Sequence, residues 1–212
     1  MMDVSPTIFI VDDDPSARSG LERLIKAAGY AAVSYSSASA FLEENLGNRH
    51  GCLLLDCNMP GISGPQLQEE LFNLNCPIPI VFISAFGDVP TTANTMKKGA
   101  VDFLTKPVDS EDLMNAIQSA LDTDLARFAM EREIESLQVL LDSLTKREYQ
   151  VMTYVITGLL NKQIAWELEI TEDTVKIHRH RVMKKLKLES VAELVRFCMK
   201  AGVKPAETRD TY

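Results

Sequence analysis

Val-Asp-Phe-Leu-Thr-Lys-Pro, residues 101–107, gives the clearest indication of how this chain folds. It is a short apolar segment that ends in a lysine and a proline, and three comparable segments precede it. These end at Asp12–Asp13, at Asp56 and at Ser84. Because the carboxyl ends of parallel strands line one edge of an open sheet, we expect three carboxylates, a hydroxyl and a lysine ammonium in one crevice. Such a set of groups suits a divalent cation and a phosphoryl group.

Strand-like and helix-like segments alternate over the first 120 residues, which is the rhythm of a doubly wound parallel sheet. Asp14 before Pro15 is typical of a helix start, and Gly29 and Gly99 are typical of the residue after a last helical turn. We therefore predict a five-stranded, flavodoxin-like α/β domain over residues 1–120. The predicted strands are Ile8–Val11, Ala32–Tyr35, Cys52–Asp56, Ile78–Ser84 and Val101–Leu104, with helices starting near Pro15, Ser39, Gly64, Pro90 and Ser110.

Size and composition indicate a globular protein of two domains, because the chain has 212 residues, 46% hydrophobic and 25% charged. No segment reaches the roughly 18 consecutive apolar residues of a membrane span, and the N-terminus has no signal-peptide pattern. We expect a cytoplasmic protein without membrane contact. The four cysteines have no CxxC spacing, which argues against a zinc site or a redox pair and favours reduced thiols.

Charge is distributed unevenly along the chain. Residues 1–120 hold 7 basic and 15 acidic side chains, residues 121–144 hold 2 and 6, and residues 145–212 hold 13 and 9. The net charges are therefore −8, −4 and +4. Residues 174–187 contain six Lys or Arg, two His and no acid, a pattern that attracts a polyanion although the whole chain repels one. From charge alone, a solvated basic helix is the alternative.

The first 120 residues resemble the receiver domain of two-component response regulators. The resemblance implies that Asp56 accepts a phosphoryl group from a sensor histidine kinase. It also implies a Mg²⁺ ion held by Asp12, Asp13, Asp56 and the backbone carbonyl of Asn58. The matching motifs are Asp12-Asp13, Asp56-Cys-Asn58-Met-Pro60-Gly, Ser84 and Lys106-Pro107.

The same resemblance implies a switch around the phosphoryl group. Ser84 and Lys106 would contact the phosphoryl oxygens, and the aromatic Phe103 would turn inward when Ser84 moves. Strand alternation predicts Phe103 and Val101 on one face of the sheet, and a plain core role for Phe103 is an equal alternative. We also expect a cis bond before Pro107, and a helix-capping role for Asp14 rather than a ligand role.

Residues 121–143 are predicted to form a helical linker, since no Gly or Pro interrupts Leu113 to Leu144. One long helix or two abutting helices would fit. Apolar residues there follow spacings of 4 and 3, with one skip, as in a coiled-coil seam. The seam could pair with its copy in a dimer, or the helix could be a rigid spacer packed on its own domains. The seam residues are Leu121, Leu125, Phe128, Met130, Ile134, Leu137, Leu141 and Leu144.

Residues 144–212 read as a helix-turn-helix domain with an extra helix. Thr145–Glu148 and Ser190–Glu193 have the spacing of capping boxes. Gly158 can end the first helix, a short helix can run from Asn161 to Leu168, and Thr171 can cap a third helix that ends near Leu186. The domain resembles the LuxR-type DNA-binding domain, and the two domains together resemble the FixJ branch of response regulators. The matching stretches are residues 144–148, 158–165, 174–182 and 185–186.

The third of these helices is the predicted recognition helix. At about 100° per residue, Val175, Val182 and Leu186 share one stripe, which we interpret as buried, with His178 at its edge in a structural role. The opposite face offers groups that can contact base edges and a thymine methyl in the major groove, while Lys162 would meet phosphate. The predicted DNA-binding residues are Lys162, Thr174, Lys176, Ile177, His180, Arg181 and Lys184.

Two positions depart from the family pattern. Glu169 stands where the LuxR-type domain usually has glycine, so it must adopt a left-handed conformation, at about 1 kcal/mol, or reshape the turn. Phe86, after Ser84, would lie beside the phosphoryl site and slow hydrolysis of the acyl phosphate.

These features predict a transcription regulator that is a switch rather than a turnover enzyme. Phosphorylation at Asp56 would promote a homodimer that binds paired half-sites in double-stranded operator DNA, with RNA polymerase as a further partner. Two alternatives belong to other functional classes of protein. An aspartate-nucleophile phosphohydrolase usually has a second Asp where this chain has Asn58, and a protein-interaction module could use the basic helix to bind an acidic protein.

Overall fold

The structure, a computed structural model, describes residues 5–43, 50–85 and 89–208. The chain forms two compact units, residues 1–128 and residues 129–212, which are described separately. Our domain boundaries after residues 120 and 143 stay predictions.

The first unit is built on a five-stranded sheet with the strand order β2-β1-β3-β4-β5. All four strand pairs are parallel, so the carboxyl ends of the strands lie along one edge. This confirms the predicted α/β fold class, and each predicted strand lies within two residues of an observed one. The strands are β1 Thr7–Val11, β2 Ala31–Tyr35, β3 Gly51–Asp56, β4 Ile80–Ser84 and β5 Asp102–Thr105.

Helices connect successive strands and follow the last one. Asp14 caps the first helix as predicted, since its carboxylate accepts a hydrogen bond from the Ser16 N–H at 2.8 Å. Gly29 and Gly99 have positive φ, which is the conformation expected after a helix end. The helices are α1 Pro15–Ala27, α2 Ala38–Glu43, α3 Gly64–Asn73, α4 Val89–Lys97 and α5 Ser110–Asp142.

Side chains alternate between two apolar layers, one on each face of the sheet. Phe9 and Leu55 belong to the layer that contains α2 and α3 side chains, whereas Ile10 and Leu54 belong to the layer that contains α1 and α5 side chains. A strand buried on both faces is expected where helices cover a parallel sheet. Strand β3 shows this most fully, because all six of its residues are buried.

The prediction that Val101 and Phe103 share a face is wrong. Phe103 packs against the layer that contains Phe9, whereas Val101 packs against the layer that contains Ile10. Strand β5 begins only at Asp102, so the period-two alternation does not extend back to Val101.

Helix α5 is one continuous helix of 33 residues, which is the first of the two predicted alternatives. Its apolar repeat is divided between the cores of the two units and solvent, and pairing of the repeat with its copy stays a prediction. Leu121 is buried in the core of the first unit, and Leu141 is buried in the core of the second. Between them Leu125, Met130 and Ile134 are exposed. The two ends of the repeat therefore pack in the cores of their own units.

Within the described residues of the second unit, four helices follow α5 and surround one apolar core. Thr145 caps the first of them in the predicted capping box with Glu148. The Ser190 hydroxyl accepts from the Glu193 N–H as predicted, and the Glu193 carboxylate accepts from the Glu189 N–H at 2.8 Å. A glutamate side chain is long enough to reach back to Glu189, the residue before Ser190. The helices are α6 Lys146–Val155, α7 Asn161–Glu167, α8 Glu172–Leu186 and α9 Val191–Lys200.

The turn between α7 and α8 contains the departure from the family pattern. Glu169 has φ 54°, so it takes the left-handed conformation that a glycine would adopt more easily. The turn therefore forms with Glu169 in a strained backbone conformation.

Cys52, Cys57 and Cys198 are buried, and Cys76 is half-buried. Burial raises the pKa of Cys52 to about 12 and that of Cys198 to about 11, so neither thiol is reactive at neutral pH. Among the described residues, no helix combines the length and the apolar character that crossing a membrane requires.

Candidate functional site

Three carboxylates meet at the carboxyl edge of the sheet. Asp12 and Asp13 directly follow β1, and Asp56 is the last residue of β3, which pairs with β1. One oxygen from each carboxylate lies within 4.8 Å of the others. Asp12 and Asp56 are buried, whereas Asp13 is exposed. The sheet topology therefore brings together acids that are 43 residues apart in sequence.

Lys106 connects two of these carboxylates. Its Nζ lies 2.7 Å from Asp12 Oδ2 and 2.9 Å from Asp56 Oδ1. The Lys106 N–H donates to the Ser84 carbonyl at 2.8 Å, and the peptide bond between Lys106 and Pro107 is cis, as predicted. The carboxyl ends of β1, β3, β4 and β5 thus all contribute a group to one site.

Backbone groups hold the remaining carboxylate oxygens. The Asp14 N–H donates to Asp12 Oδ1 at 2.9 Å, and the Asn58 N–H donates to Asp56 Oδ2 at 3.1 Å. The Arg18 guanidinium donates to the Asp12 carbonyl at 2.5 Å. Arg18 could not be singled out from the sequence, since an arginine in the first turns of a helix is most often a solvated side chain.

The acidic cluster has more carboxylates than cations, because three carboxylates share the Lys106 ammonium and the nearby Arg18 guanidinium. Burial raises the pKa of Asp56, against the opposing effect of its hydrogen bond from Lys106. Burial acts to lower the pKa of Lys106, but its hydrogen bonds to Asp12 and Asp56 outweigh burial and raise the pKa. A cluster of three carboxylate oxygen donors with an excess of negative charge fits a hard divalent cation.

The other predicted receiver residues lie around the cluster or behind it. Ser84 is fully buried at the end of β4, beside Thr105 of β5. Phe103 is half-buried, and its ring stacks on Phe82 with centroids 6.2 Å apart. Asn58 is exposed. Phe86, which we expected beside the site, lies outside the described residues.

Gly64 is a supporting residue that sequence reasoning missed. Its N–H donates to the Cys57 carbonyl at 3.1 Å, and a Cβ at this position would lie 2.3 Å from the Asp56 carbonyl oxygen. The first residue of α3 therefore touches the backbone of the acid-bearing strand end. A glycine directly before a proline reads first as a turn residue, so the sequence alone did not indicate a close contact.

Helix α8 presents a basic face to solvent. Val175, Val182 and Leu186 are buried as predicted, and Ile177 is 52% exposed. Thr174 is half-buried, and its hydroxyl lies 2.7 Å from that of Thr171. The remaining predicted DNA-binding residues are exposed, namely Lys162, Lys176, His180, Arg181 and Lys184.

Polar contacts position two further residues of this helix. Lys176 Nζ lies 3.0 Å from Asp173 and 3.7 Å from Glu172, so acids of the first turn hold it along the helix. Arg179 donates to the Asn161 side chain at 2.8 Å, a link between α8 and α7 that the sequence did not suggest. His178 is half-buried, in keeping with a structural role.

Comparison with known families identifies both units. Residues 8–118 match the family described as the response regulator receiver domain, and residues 142–198 match the luxR family of bacterial regulatory proteins. The chain is a response regulator of the FixJ branch. It is therefore a transcription regulator of a two-component system, controlled through its receiver, and not an enzyme in the ordinary sense.

Close relatives share this arrangement along nearly the whole chain. Nodulation protein W of Bradyrhizobium diazoefficiens is 42% identical over 204 residues, which cover 96% of this chain and 90% of the relative. The response regulator protein TmoT of Ectopseudomonas mendocina is 45% identical over 196 residues, 92% of this chain and 89% of the relative. The transcriptional regulatory protein FixJ of Azorhizobium caulinodans is 36% identical over 206 residues, 97% of this chain and 98% of the relative.

Solved structures lead to the same family. The response regulator StyR is 46% identical with a TM-score of 0.78, over 93% of this chain and 100% of that chain. Full-length FixJ from B. japonicum is 37% identical with a TM-score of 0.57, over 93% of this chain and 97% of that chain.

Proposed function

We propose that this response regulator accepts a phosphoryl group on Asp56 and that the modification controls binding of α8 to operator DNA. The observation that carries the proposal is the position of Asp56, buried at a strand end with one oxygen bonded to Lys106 at 2.9 Å. Asp12 meets the same ammonium at 2.7 Å, so the choice of Asp56 as the acceptor rests also on the resemblance of residues 56–61 to the receiver motif. The donor would be a phosphohistidine of a sensor kinase.

The transfer needs positioning and charge stabilisation more than covalent help from other residues. The phosphorus–nitrogen bond of the donor breaks while a phosphorus–oxygen bond to an Asp56 oxygen forms, and the leaving imidazole takes up a proton. Asp12, Asp13, Asp56 and the Asn58 carbonyl would hold Mg²⁺, which offsets the charge of the phosphoryl oxygens when bound. The chain thus catalyses only its own phosphorylation and dephosphorylation.

Lys106 and Ser84 would convert the modification into a change of shape. The new phosphoryl oxygens compete with Asp12 for the Lys106 ammonium and offer an acceptor to the Ser84 hydroxyl. Phe103, half-buried beside Phe82, would then turn inward. An acyl phosphate shifts a two-state equilibrium only through contacts that differ between the states, and these contacts differ.

The basic face of α8 would enter the major groove of double-stranded DNA. Lys176 and His180 can donate to guanine acceptors, Ile177 can touch a thymine methyl, and Arg181 and Lys184 lie on the same exposed face. Thr174 opens this face, and Lys162 at the start of α7 would contact phosphate. Because Lys176 pairs with Asp173, its contribution requires release from that acid.

Two further partners belong to this proposal. A homodimer, formed on phosphorylation, would place two copies of α8 on paired half-sites. RNA polymerase would be the later partner at the promoter. These partners place the protein in the cytoplasm.

Phosphorylation can be tested with acetyl phosphate and Mg²⁺, followed by mass spectrometry of the labelled peptide. We expect a single label on Asp56, none in Asp56→Asn, and a slower, less Mg²⁺-dependent reaction in Asp13→Asn. Asp14→Asn is the matched control, because asparagine also caps a helix and Asp14 is not a proposed ligand. Undiminished labelling of Asp56→Asn would overturn the assignment.

DNA contacts can be tested with a duplex selected from random sequences by the phosphorylated protein. Lys176→Ala and His180→Ala should each weaken specific binding by about tenfold, the loss of one good base contact. Lys146→Ala removes an exposed charge from α6 and should have a much smaller effect. Equal losses in all three variants would indicate a non-specific polyanion interaction instead.

A further inference from the structure

Helix α7 packs on the apolar core of the second unit through its second half. Ile164 and Ala165 are buried in that core, whereas Asn161 is half-buried and Lys162 is exposed. Leu160, directly before the helix, is 70% exposed. The first turn of α7, which carries the proposed phosphate contact Lys162, therefore needs a hold other than apolar packing.

Arg179 of α8 supplies such a hold. Its Nη1 donates to Asn161 Oδ1 at 2.8 Å, and both side chains are half-buried. A cleft of about 450 Å³ adjoins this bond, and its lining includes Leu160, Asn161, Lys176 and Arg179. Because open space rather than packed side chains lies beside the bond, the hydrogen bond has the larger share in fixing the separation of the two helices there.

The position of Arg179 on α8 separates it from the proposed base contacts. At about 100° per residue it lies about 40° from the buried Val175, whereas Lys176 and His180 lie about 100° and about 140° from Val175. A guanidinium presents its N–H donors in a fixed planar fork, so a bond from it restrains direction as well as distance. Arg179 is thus placed to orient α8 on α7 rather than to contact bases.

We propose that Arg179 is a positioning residue for DNA recognition. Through Asn161 it would fix the distance between Lys162, on a phosphate, and the base contacts of α8, so that both are made on one duplex. Such contacts must be held to within about 0.5 Å of the productive geometry, which a loose first turn of α7 would not achieve. Base contacts would then suffer more than phosphate contacts, since phosphates recur along any duplex. The inference rests on the proposed DNA binding and adds to it a residue that touches no base.

A double-mutant cycle on the full-length protein tests this role. Dissociation constants are measured after treatment with acetyl phosphate and Mg²⁺, for the selected duplex and for a random duplex, at several salt concentrations. Arg179→Ala and Asn161→Ala should each weaken binding to the selected duplex by about tenfold, and binding to the random duplex by less than about threefold. The double variant should bind like either single variant, because the two side chains act as one pair.

The salt dependence separates positioning from a direct phosphate contact. Arg179→Ala should keep the wild-type slope of log Kd against the logarithm of the salt concentration, whereas the control Lys162→Ala should reduce that slope by about 0.9. The same reduction in Arg179→Ala, with Asn161→Ala binding like the wild type, would overturn the proposal. Equal losses on the two duplexes in both single variants would overturn it as well.

The wild type shows which proposal has failed. If it does not distinguish the selected duplex from the random one, the proposed recognition of operator DNA itself fails. If it does distinguish them and Arg179→Ala binds both duplexes like the wild type, only the positioning role fails.

Discussion

Two glycines of the first unit differ in the space around their Cα atoms. A Cβ on Gly64 would lie 2.3 Å from the Asp56 carbonyl oxygen and 3.1 Å from Cys57 Cα. These are backbone atoms of the strand end that carries the proposed phosphoryl acceptor, so they cannot rotate away. A Cβ on Gly20, within α1, would meet nothing within 4 Å. Close packing at Gly64 therefore supports the position of Asp56.

Alanine substitution should have opposite effects at these two positions. Gly64→Ala should lower the free energy of unfolding by about 2 kcal/mol, because the extra methyl overpacks a backbone contact. Gly20→Ala should raise it by up to about 1 kcal/mol, since alanine is the better helix former. Urea denaturation of the two variants checks this, and a Gly64→Ala protein as stable as the wild type would contradict the packing argument.

At the scale of elements, helix α5 is fastened to the start of β3 by a buried acid. Asp124 is fully buried and accepts hydrogen bonds from the Gly51 N–H at 2.7 Å and from Arg127 Nη2 at 2.6 Å. His50 Nδ1 lies 2.5 Å from the same carboxylate. The edge of the sheet opposite the acidic cluster is thus tied to the long helix.

Removal of this carboxylate should loosen α5 on the sheet. Asp124→Ala removes a buried carboxylate that accepts hydrogen bonds from the Gly51 N–H and from Arg127, so we expect a loss of about 3 kcal/mol in the free energy of unfolding. Hydrogen exchange should rise at residues 50–56 and along the N-terminal half of α5. Asp122→Asn, an exposed position on the same helix, should change stability by less than about 0.5 kcal/mol. Similar exchange in both variants would argue against the tie.

A second buried acid makes the DNA-binding unit sensitive to low pH. Burial acts to raise the pKa of Glu148, but hydrogen bonds from Lys185 and from the Thr145 backbone outweigh it and lower the pKa from 4.5 to about 2. A depressed carboxyl pKa means that the bound carboxylate stabilises the fold above pH 4.5. That stabilisation is lost as the pH falls from 4.5 towards 2.

Glu148→Gln should therefore flatten the pH dependence of stability. Glutamine keeps the capping box but cannot gain a proton in this interval. The free energy of unfolding of the variant should therefore fall less between pH 4.5 and 2 than that of the wild type. Denaturation at several pH values in this range checks the difference. Parallel curves for the two proteins would mean that Glu148 does not contribute.

The elements also show why some features could be predicted from sequence and others could not. The acidic cluster could be predicted from the Asp, Ser and Lys residues at the strand ends, because a parallel sheet places the carboxyl ends of its strands at one edge. The face of the sheet on which Val101 lies could not be predicted, since it depends on the residue at which β5 begins. The apolar repeat of α5 could be recognised in the sequence. The spacing of the repeat does not show whether a residue such as Leu141 packs within its own unit or against a partner.

The burial of Gln68 could not be predicted from the sequence for a similar reason. Gln68 follows Leu67 within an amphipathic helix, and glutamine is usually a surface residue. Its burial depends on how closely α4 approaches α3, which no local pattern encodes. Glu169 is the opposite case, because its strained φ of 54° followed from a missing glycine.

At the scale of the whole molecule, dimerisation is the step that would connect the receiver with paired DNA sites. The exposed part of the linker repeat, Met130 and Ile134, is the surface we expect to pair. Ile134→Lys should abolish the dimer formed by phosphorylated protein in sedimentation experiments. Val139→Lys, at an exposed position outside the repeat, should leave it intact. A phosphorylated wild type that remains monomeric would remove this proposal.

A phosphoryl group on Asp56 is proposed to govern DNA binding by the basic helix α8 of the second unit. The most direct test is the dissociation constant for a selected duplex, measured with and without acetyl phosphate and Mg²⁺ at one salt concentration. The wild type should bind at least about tenfold more tightly after phosphorylation, whereas Asp56→Asn should not change. A fully labelled wild type with unchanged affinity, or an equal gain in Asp56→Asn, would contradict the account.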